Sequence, residues 1–256
     1  MSTKNRPFDD VRRSLDHVSD AELGEIAELS IRLDRSRVGR AGIPEVVFAE
    51  RKQADAVIAG LRGLVEANGR ALASRSPEST IQAIRAALAG MFDLEVCIEA
   101  RTVVVAQPGV KPHLTGGRVG IITAGSSDAP IAAEASVMAR EMGAVVTMAR
   151  DVGVAGIHRL VEPLERLISD DVDAIVVAAG MDGALPSVVA GLVAVPVIGL
   201  PTSIGYGYGG QGVGALMAML QSCAPGLVVV NIDNGIGAGA TAALIANRAA
   251  DARASR

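Results

Sequence analysis

Three side chains in the second half of this chain are of types that do chemistry: Cys223, Asp182 and Asp128. Cys223 stands in Gln-Ser-Cys-Ala-Pro-Gly, at the end of an apolar helical stretch. A free cysteine is by default a small buried hydrophobe. A helix carboxyl terminus does nothing to lower a thiol pKa, so as a nucleophile Cys223 would need a bound cation to favour its thiolate. Asp182, in Ala-Gly-Met-Asp-Gly-Ala-Leu-Pro, reads either as a cap for the helix beginning near Ala184 or as a general acid or base in a cleft. Asp128 closes the stretch Gly-Gly-Arg-Val-Gly-Ile-Ile-Thr-Ala-Gly-Ser-Ser-Asp. It could cap a helix, or hold ribose hydroxyls or a metal on phosphate, since a carboxylate beside bare phosphate repels it. Its neighbours Gly125, Ser126 and Ser127 suit an anion: backbone N–H groups at a helix start attract negative charge, and Gly125 lets a ligand approach the backbone. Capping alone would also explain Ser126, Ser127 and Asp128, with Pro130 in the first helical turn.

The elements that must position these groups are legible as an alternation. Apolar runs at 118–123, 144–149, 173–178, 196–200 and 227–231 predict strands. Segments at 129–142, 157–169, 184–193, 212–222 and 236–248 predict helices. Strands alternating with helices of this length imply right-handed crossovers and a parallel sheet. Near-continuous apolar strands imply cover on both faces. The expected fold class is therefore α/β, a three-layer α/β/α parallel sheet of flavodoxin-like type over residues 116–256, preceded by a small α+β domain over residues 1–115.

If the strands are parallel, four loops share the carboxyl rim of the sheet, where open α/β sheets bind ligands. They are Gly125–Asp128, Gly180–Gly183 with Met181, Pro201–Ser203 running into a Gly-rich stretch, and Asn231–Gly235. Four polar, Gly-rich loops on one rim favour a ligand cleft. Residues 205–212 match G-x-G-x-x-G twice, but they follow the fourth strand rather than the first, and no acidic residue stands about 20 positions on at a second strand end. A flexible lid, or backbone packed against a neighbouring subunit, is the better reading. Tyr206 and Tyr208 are this half's only aromatics, and in a Gly loop they belong to a site or an interface rather than to the core.

Composition sets bounds. The chain has 256 residues, half of them hydrophobic, with aromatics at 2% and no Trp, so the core must be Ala, Val, Ile and Leu. A net charge of −4 and few aromatics argue against nucleic acid and anionic membrane as partners. Cys97 and Cys223 are far apart and form no CxxC, which suits a reducing compartment. The polar start and the lack of an apolar run of about 20 residues predict a cytoplasmic, soluble protein. His17, His113 and His158 are scattered, so no metal cluster is expected.

In the first half, Ile26–Asp34 and Glu45–Phe48 are β-like, separated by an Arg- and Gly-rich loop. Gln53–Asn68 is helical, with Ala54, Val57, Ile58, Leu61, Leu64 and Val65 on one face. Arg70–Arg75 reads as a strand, Pro77–Leu88 as a helix, Glu95–Gln107 as one or two strands, and Pro108–Gly117 as a linker.

The stretches GRVGIITAGSSDAPIAAEA, VAAGMDGALPSVVAGLVAVPVIGLPTSIGYG and LQSCAPGLVVVNIDNGIGAGATAAL, with LDRSRVGRAGIPEVVFAERK upstream, resemble the LarB family of nickel-pincer cofactor biosynthesis, from about residue 8 to 248. The carboxyl-terminal half is similar, more distantly, to the aminoimidazole ribonucleotide carboxylase/mutase of purine biosynthesis. The His of that enzyme's AG-x-x-H-L segment is replaced here by Gly183 or a neighbour.

The LarB resemblance implies carboxylation of the pyridinium ring of nicotinic acid adenine dinucleotide (deamido-NAD) by carbon dioxide or bicarbonate. The phosphoanhydride is then hydrolysed to release AMP. It places the nucleophile at Cys223 and the acid at Asp182, where the family carries Glu. Ser127 and Asp128 match the nucleotide-holding loop, with Gly125, Ser126, Gly180, Met181 and Ser203 beside the substrate. Arg37, Arg40, Glu45 and Lys52 match the amino-terminal signature and would close over the phosphates. A magnesium ion on the phosphoanhydride is implied, as is a homo-oligomer, octameric by analogy. The rival readings are the purine-type carboxylase or mutase and a non-enzymatic nucleotide-binding module.

Overall fold

The computed structural model describes residues 23–26 and 31–255. It divides into two compact units, Met1–Val96 with Val103–Lys111, and Cys97–Thr102 with Pro112–Arg256. The sequence reading places the division at 115/116.

In the first unit, β1 (Leu23–Ile26) and β2 (Ile31–Asp34) pair antiparallel. Of the β-like run expected from Ile26 to Asp34, Ile31–Asp34 is strand and residues 27–30 lie outside the described residues. The Arg- and Gly-rich separator, expected to be loop, folds a short helix, α1 (Arg37–Ala41), closed by Gly42 in the left-handed region. Glycine takes that conformation without strain, so the residue that reads as a loop marker is the stop of a helix. A four-stranded sheet has the order β3 (Val46–Phe48), β4 (Arg70–Ser74), β6 (Thr102–Ala106), β5 (Asp93–Cys97). β3 and β4 are parallel; β4 and β6 are antiparallel. The helices α2 (Ala54–Asn68) and α3 (Glu78–Leu88) cover it. Val57, Leu61, Leu64 and Val65 from α2 and Ile81, Ile84 and Leu88 from α3 are buried with Leu33, Val47, Val103 and Val105. The 3.6-residue spacing of those apolar positions is what turns one face of each helix inward.

The second unit is an α/β/α sandwich. Its strands are β7 (Arg118–Thr123), β8 (Val145–Ala149), β9 (Ala174–Ala179), β10 (Val197–Pro201) and β11 (Leu227–Val229). All pair in parallel, in the order β11-β10-β9-β7-β8. This is the flavodoxin-like order, with β7 and β9 adjacent at the point where the winding reverses. On one face α5 (His158–Ser169), α6 (Leu185–Ala190) and α7 (Val213–Leu220) bury Leu160, Leu164, Leu167, Leu185, Val189 and Met219 against Ile122, Ile175 and Val177.

The other face carries α4 (Ala129–Glu141) and α8 (Gly235–Ala254), both rich in Ala and Gly. They pack without intervening bulk: a Cβ on Gly239 would lie 2.2 Å from the Ala135 carbonyl oxygen, and one on Gly235 would lie 2.6 Å from that of Ile131. At these points the small residues serve packing inside the chain. No helix among the described residues is long and apolar enough to cross a membrane.

Candidate functional site

Parallel strands put their carboxyl ends on one rim, and β7 and β9 open the crevice there. β7 runs into a 3-10 turn, Ser126–Asp128, and then directly into α4, with Pro130 in its first turn. Ser126 and Ser127 are exposed. Asp128 is not: it is 3% exposed, and both carboxylate oxygens are engaged. The Thr202 hydroxyl donates to Oδ1 at 2.6 Å and the Gly125 N–H donates to Oδ2 at 2.8 Å. Burial pushes its pKa above the usual carboxylate value; the Thr202 hydroxyl and the Gly125 and Gly180 amides pull it back, and the nearby Asp233 charge pushes it up again. Asp128 therefore ties the ends of β7, β9 and β10 together, and presents no free oxygen to a ligand in this state.

The loop after β9 is unusually constrained. Gly180 lies so close to the next loop that a Cβ there would be 2.0 Å from the Ile204 carbonyl oxygen. That oxygen accepts the Met181 N–H at 2.9 Å. Met181 has φ +48° and Gly183 φ +60°, the left-handed region that side chains with a Cβ rarely adopt. Between them Asp182 is exposed, its Oδ1 accepting the Ala184 N–H at 3.4 Å. Both readings of Asp182 survive: the bond is long for a cap, and the carboxylate faces solvent at the rim. A Cβ at Gly183 would come within 2.6 Å of the Ala215 carbonyl oxygen, so no side chain fits at that position.

Ser203 is also on the rim. Its N–H donates to Asp233 Oδ1 at 2.8 Å, and the Asp233 N–H donates to the Pro201 carbonyl at 2.9 Å. Asn234 then caps α8 by accepting the Gly237 N–H at 2.9 Å. Gly125, Ser126, Ser127, Asp128, Gly180, Met181, Asp182 and Ser203 thus converge on one rim. Thr202 and Asp233 belong with them and were not singled out from the sequence. A hydroxyl placed directly after an all-apolar strand was the available signal for Thr202.

Cys223 does not share this rim. It is an exposed free thiol in the turn from α7 into β11. α7 starts beside the carboxyl end of β10 and runs back along the sheet. The Val197 N–H, at the amino end of β10, donates to the carbonyl of Gly226, three residues after Cys223, at 3.0 Å. The turn is fixed by the Ser187 and Ser222 hydroxyls, 2.8 Å apart. Within one chain, then, Cys223 and Asp128 occupy opposite edges of the sheet.

The remaining sequence-selected residues lie in the first unit. Arg40 pairs with Asp34 and bonds Ser36 Oγ at 3.2 Å. The Asp34 N–H donates to Glu45. Burial raises the Glu45 pKa, and the bond from the Asp34 amide opposes it. Lys52 Nζ donates to the Phe48 carbonyl at 3.0 Å, and Arg37 is exposed. Glu45 and Lys52 line a cavity of about 290 Å³ together with Arg32, Val47 and Gly60. Arg40 and Glu45 shape the turn around α1, and Arg37 and Lys52 are exposed to solvent. Among the described residues no group of three or more His, Cys, Asp or Glu is arranged to hold a metal.

Comparison with known proteins matches each unit to a family. Residues 25–107 match the LarB/PurE-like N-terminal domain, and residues 118–256 match the AIR carboxylase domain. An uncharacterized protein of Methanocaldococcus jannaschii is 45% identical over 224 residues, covering 87% of this chain and 86% of its own. A LarB-type N-terminal domain followed by an AIR carboxylase domain on a flavodoxin-like sheet makes this chain a member of the LarB family, within the wider LarB/PurE type of carboxylases.

Proposed function

We propose that the protein carboxylates the pyridinium ring of deamido-NAD with carbon dioxide or bicarbonate and hydrolyses the phosphoanhydride. The products are pyridinium-3,5-biscarboxylic acid mononucleotide and AMP, in nickel-pincer cofactor biosynthesis, with the protein acting in the cytoplasm. An electron-poor pyridinium will not attack carbon dioxide. Addition of the Cys223 thiolate converts it to an enamine-like dihydropyridine whose neighbouring free carbon is nucleophilic. That carbon forms the new C–C bond; a base, assigned to Asp182, takes the ring proton; the C–S bond breaks and aromaticity returns. The substrate's own positive charge favours the thiolate. Water cleaves the phosphoanhydride.

The observation that carries this reading over the purine-type reaction is Gly183. The segment that carries a histidine in the purine enzymes has none here, and at Gly183 the left-handed backbone and the 2.6 Å approach to Ala215 leave no room for a side chain. A free, exposed thiol is present instead. Because Cys223 and Asp128 lie on opposite sheet edges, the reading requires Cys223 from a second copy of the chain, and so a homo-oligomer, octameric by analogy. Arg37 and Lys52 bind substrate phosphates, and magnesium arrives on those phosphates rather than in a protein cage.

The test is mass spectrometry of full-length protein incubated with deamido-NAD and ¹³C-bicarbonate, scoring ring carboxylation, AMP release and a protein adduct lost in Cys223→Ala. Mixing Cys223→Ala with Asp182→Asn chains restores activity if two copies build one site. Turnover of aminoimidazole ribonucleotide by Cys223→Ala supports the purine-type alternative. Tight nucleotide binding with no turnover supports a binding module.

A further inference from the structure

The chain has two tyrosines and no tryptophan, and both tyrosines stand in one loop. Tyr206 is 81% and Tyr208 111% exposed, values that leave both rings with almost no contact with the rest of the chain. The ends of the loop are fixed. Ser203 is held by Asp233 at 2.8 Å, the Ile204 carbonyl by the Met181 N–H at 2.9 Å, and Gly212 packs so closely that a Cβ there would lie 2.8 Å from the Thr202 carbonyl oxygen. Between those anchors run Gly205, Gly207, Gly209 and Gly210, and a side chain at Gly207 would meet nothing within 4 Å. Beside the first anchor lie two apolar side chains that also face solvent, Met181 (47%) and Ile204 (40%). Met181 Sδ would be 3.5 Å from a Cβ at Gly205, immediately before Tyr206.

An apolar floor thus lies next to two solvent-exposed aromatic rings on a glycine-jointed arm, at the rim of the sheet. We infer that Tyr206 and Tyr208 clamp a flat heteroaromatic ring of a bound nucleotide against Met181 and Ile204. The inference rests on the reading that this rim takes a dinucleotide, and it deepens that reading by naming what grips the base. A tyrosine ring loses little conformational entropy on ordering and offers a large planar contact. A thioether against the other face of the ring adds a favourable sulfur–aromatic contact. Glycine joints let the arm open for entry and close over the ligand. Adenine and nicotinate rings share this chemistry; a positively charged pyridinium adds a cation–π attraction.

Intrinsic fluorescence of this protein comes from these two side chains alone, so it reports on the clamp directly. Full-length protein is titrated with AMP, nicotinic acid mononucleotide and deamido-NAD, each by calorimetry and by tyrosine fluorescence corrected for nucleotide absorbance. The mononucleotide that carries the gripped ring quenches the emission. It binds roughly tenfold more weakly to the Tyr206→Ala/Tyr208→Ala protein, and with wild-type affinity to the Tyr206→Phe/Tyr208→Phe protein. Nucleotide binding with unchanged emission, and with unchanged affinity in the double alanine protein, overturns the clamp and leaves the proposed function standing. Unchanged affinity with an altered assembly state assigns the tyrosines to a contact between copies and also overturns it. Failure of all three nucleotides to bind overturns the clamp and the proposed function together.

Discussion

The two edges of the parallel sheet are built to opposite specifications. At the carboxyl rim, one buried carboxylate holds three loops, and a second, Asp233, pins the amide of Ser203. Residues with a Cβ held at positive φ on that side include Asp151, Met181, Gln211 and Asp233, against Asp171 at the amino edge, a conformation that persists only where its surroundings enforce it. At the amino edge, Cys223 stands in a short exposed turn steadied by the hydroxyls of Ser187 and Ser222. On the proposed function the difference separates two tasks: groups that would define where a ligand lies are fixed before it arrives, and the group that would react with it stays accessible.

Substitutions on the two edges should therefore fail in opposite ways. The largest expected effect is at Cys223→Ala: loss of detectable turnover and of the covalent adduct, with nucleotide affinity and melting temperature near wild type, because the side chain is exposed. A large drop in melting temperature would break the comparison. Thr202→Val should do the reverse. It removes the hydroxyl bonded to Asp128 Oδ1 inside the protein and leaves a buried acceptor unpaired, costing about 2 kcal/mol in chemical denaturation. Gly183→Ala follows. It places a Cβ at φ +60° against Ala215 and should cost roughly 1–3 kcal/mol while misplacing Asp182. Wild-type stability for this variant would remove the argument that no histidine fits there.

The pH dependence sharpens the contrast. Asp128 has its folded-state pKa raised above 3.8, chiefly by burial. Between the unfolded and folded pKa values the native state binds more protons than the unfolded state, so stability falls as pH rises through that window and the deficit persists above it. Asp128→Asn should thus show its most favourable melting temperature relative to wild type near neutral pH, with the advantage shrinking as pH falls toward 3.8. A difference that does not change with pH would refute this. Glu45 is raised for the same main reason, and Glu45→Gln should show the same trend more weakly, since Glu45 is only half-buried.

Much of the fold was legible because it is written in local periodicity. The run Arg118–Thr123 is the strand expected, and α4 and α5 fall within a residue of their expected ends. α8 runs on to Ala254, beyond the expected 248, because Ala, Arg and Asp continue without a breaker. α6 stops early at Ala190, before Gly191 and Leu192, where helical periodicity gave no warning of a turn. The rim was legible loop by loop, since each follows an apolar strand. Its wiring was not: Asp128 and Thr202 are 74 residues apart, and no pattern within either segment marks the bond. The position of Cys223 at the far edge follows from helix direction once the strands are known to be parallel, a step that spacing alone does not supply.

The tight seam between α4 and α8 has a consequence for how this protein tolerates change. Both helices begin at the rim, one from Asp128 and the other from Asn234, and their bodies touch where Gly239 meets Ala135. Even one methyl group wedged there would splay the two helix starts apart like the jaws of pliers gripped at the handles. Drift in this plain alanine- and glycine-rich stretch would thus register first as displaced loops at the carboxyl rim, in a protein whose outer surface looks untouched.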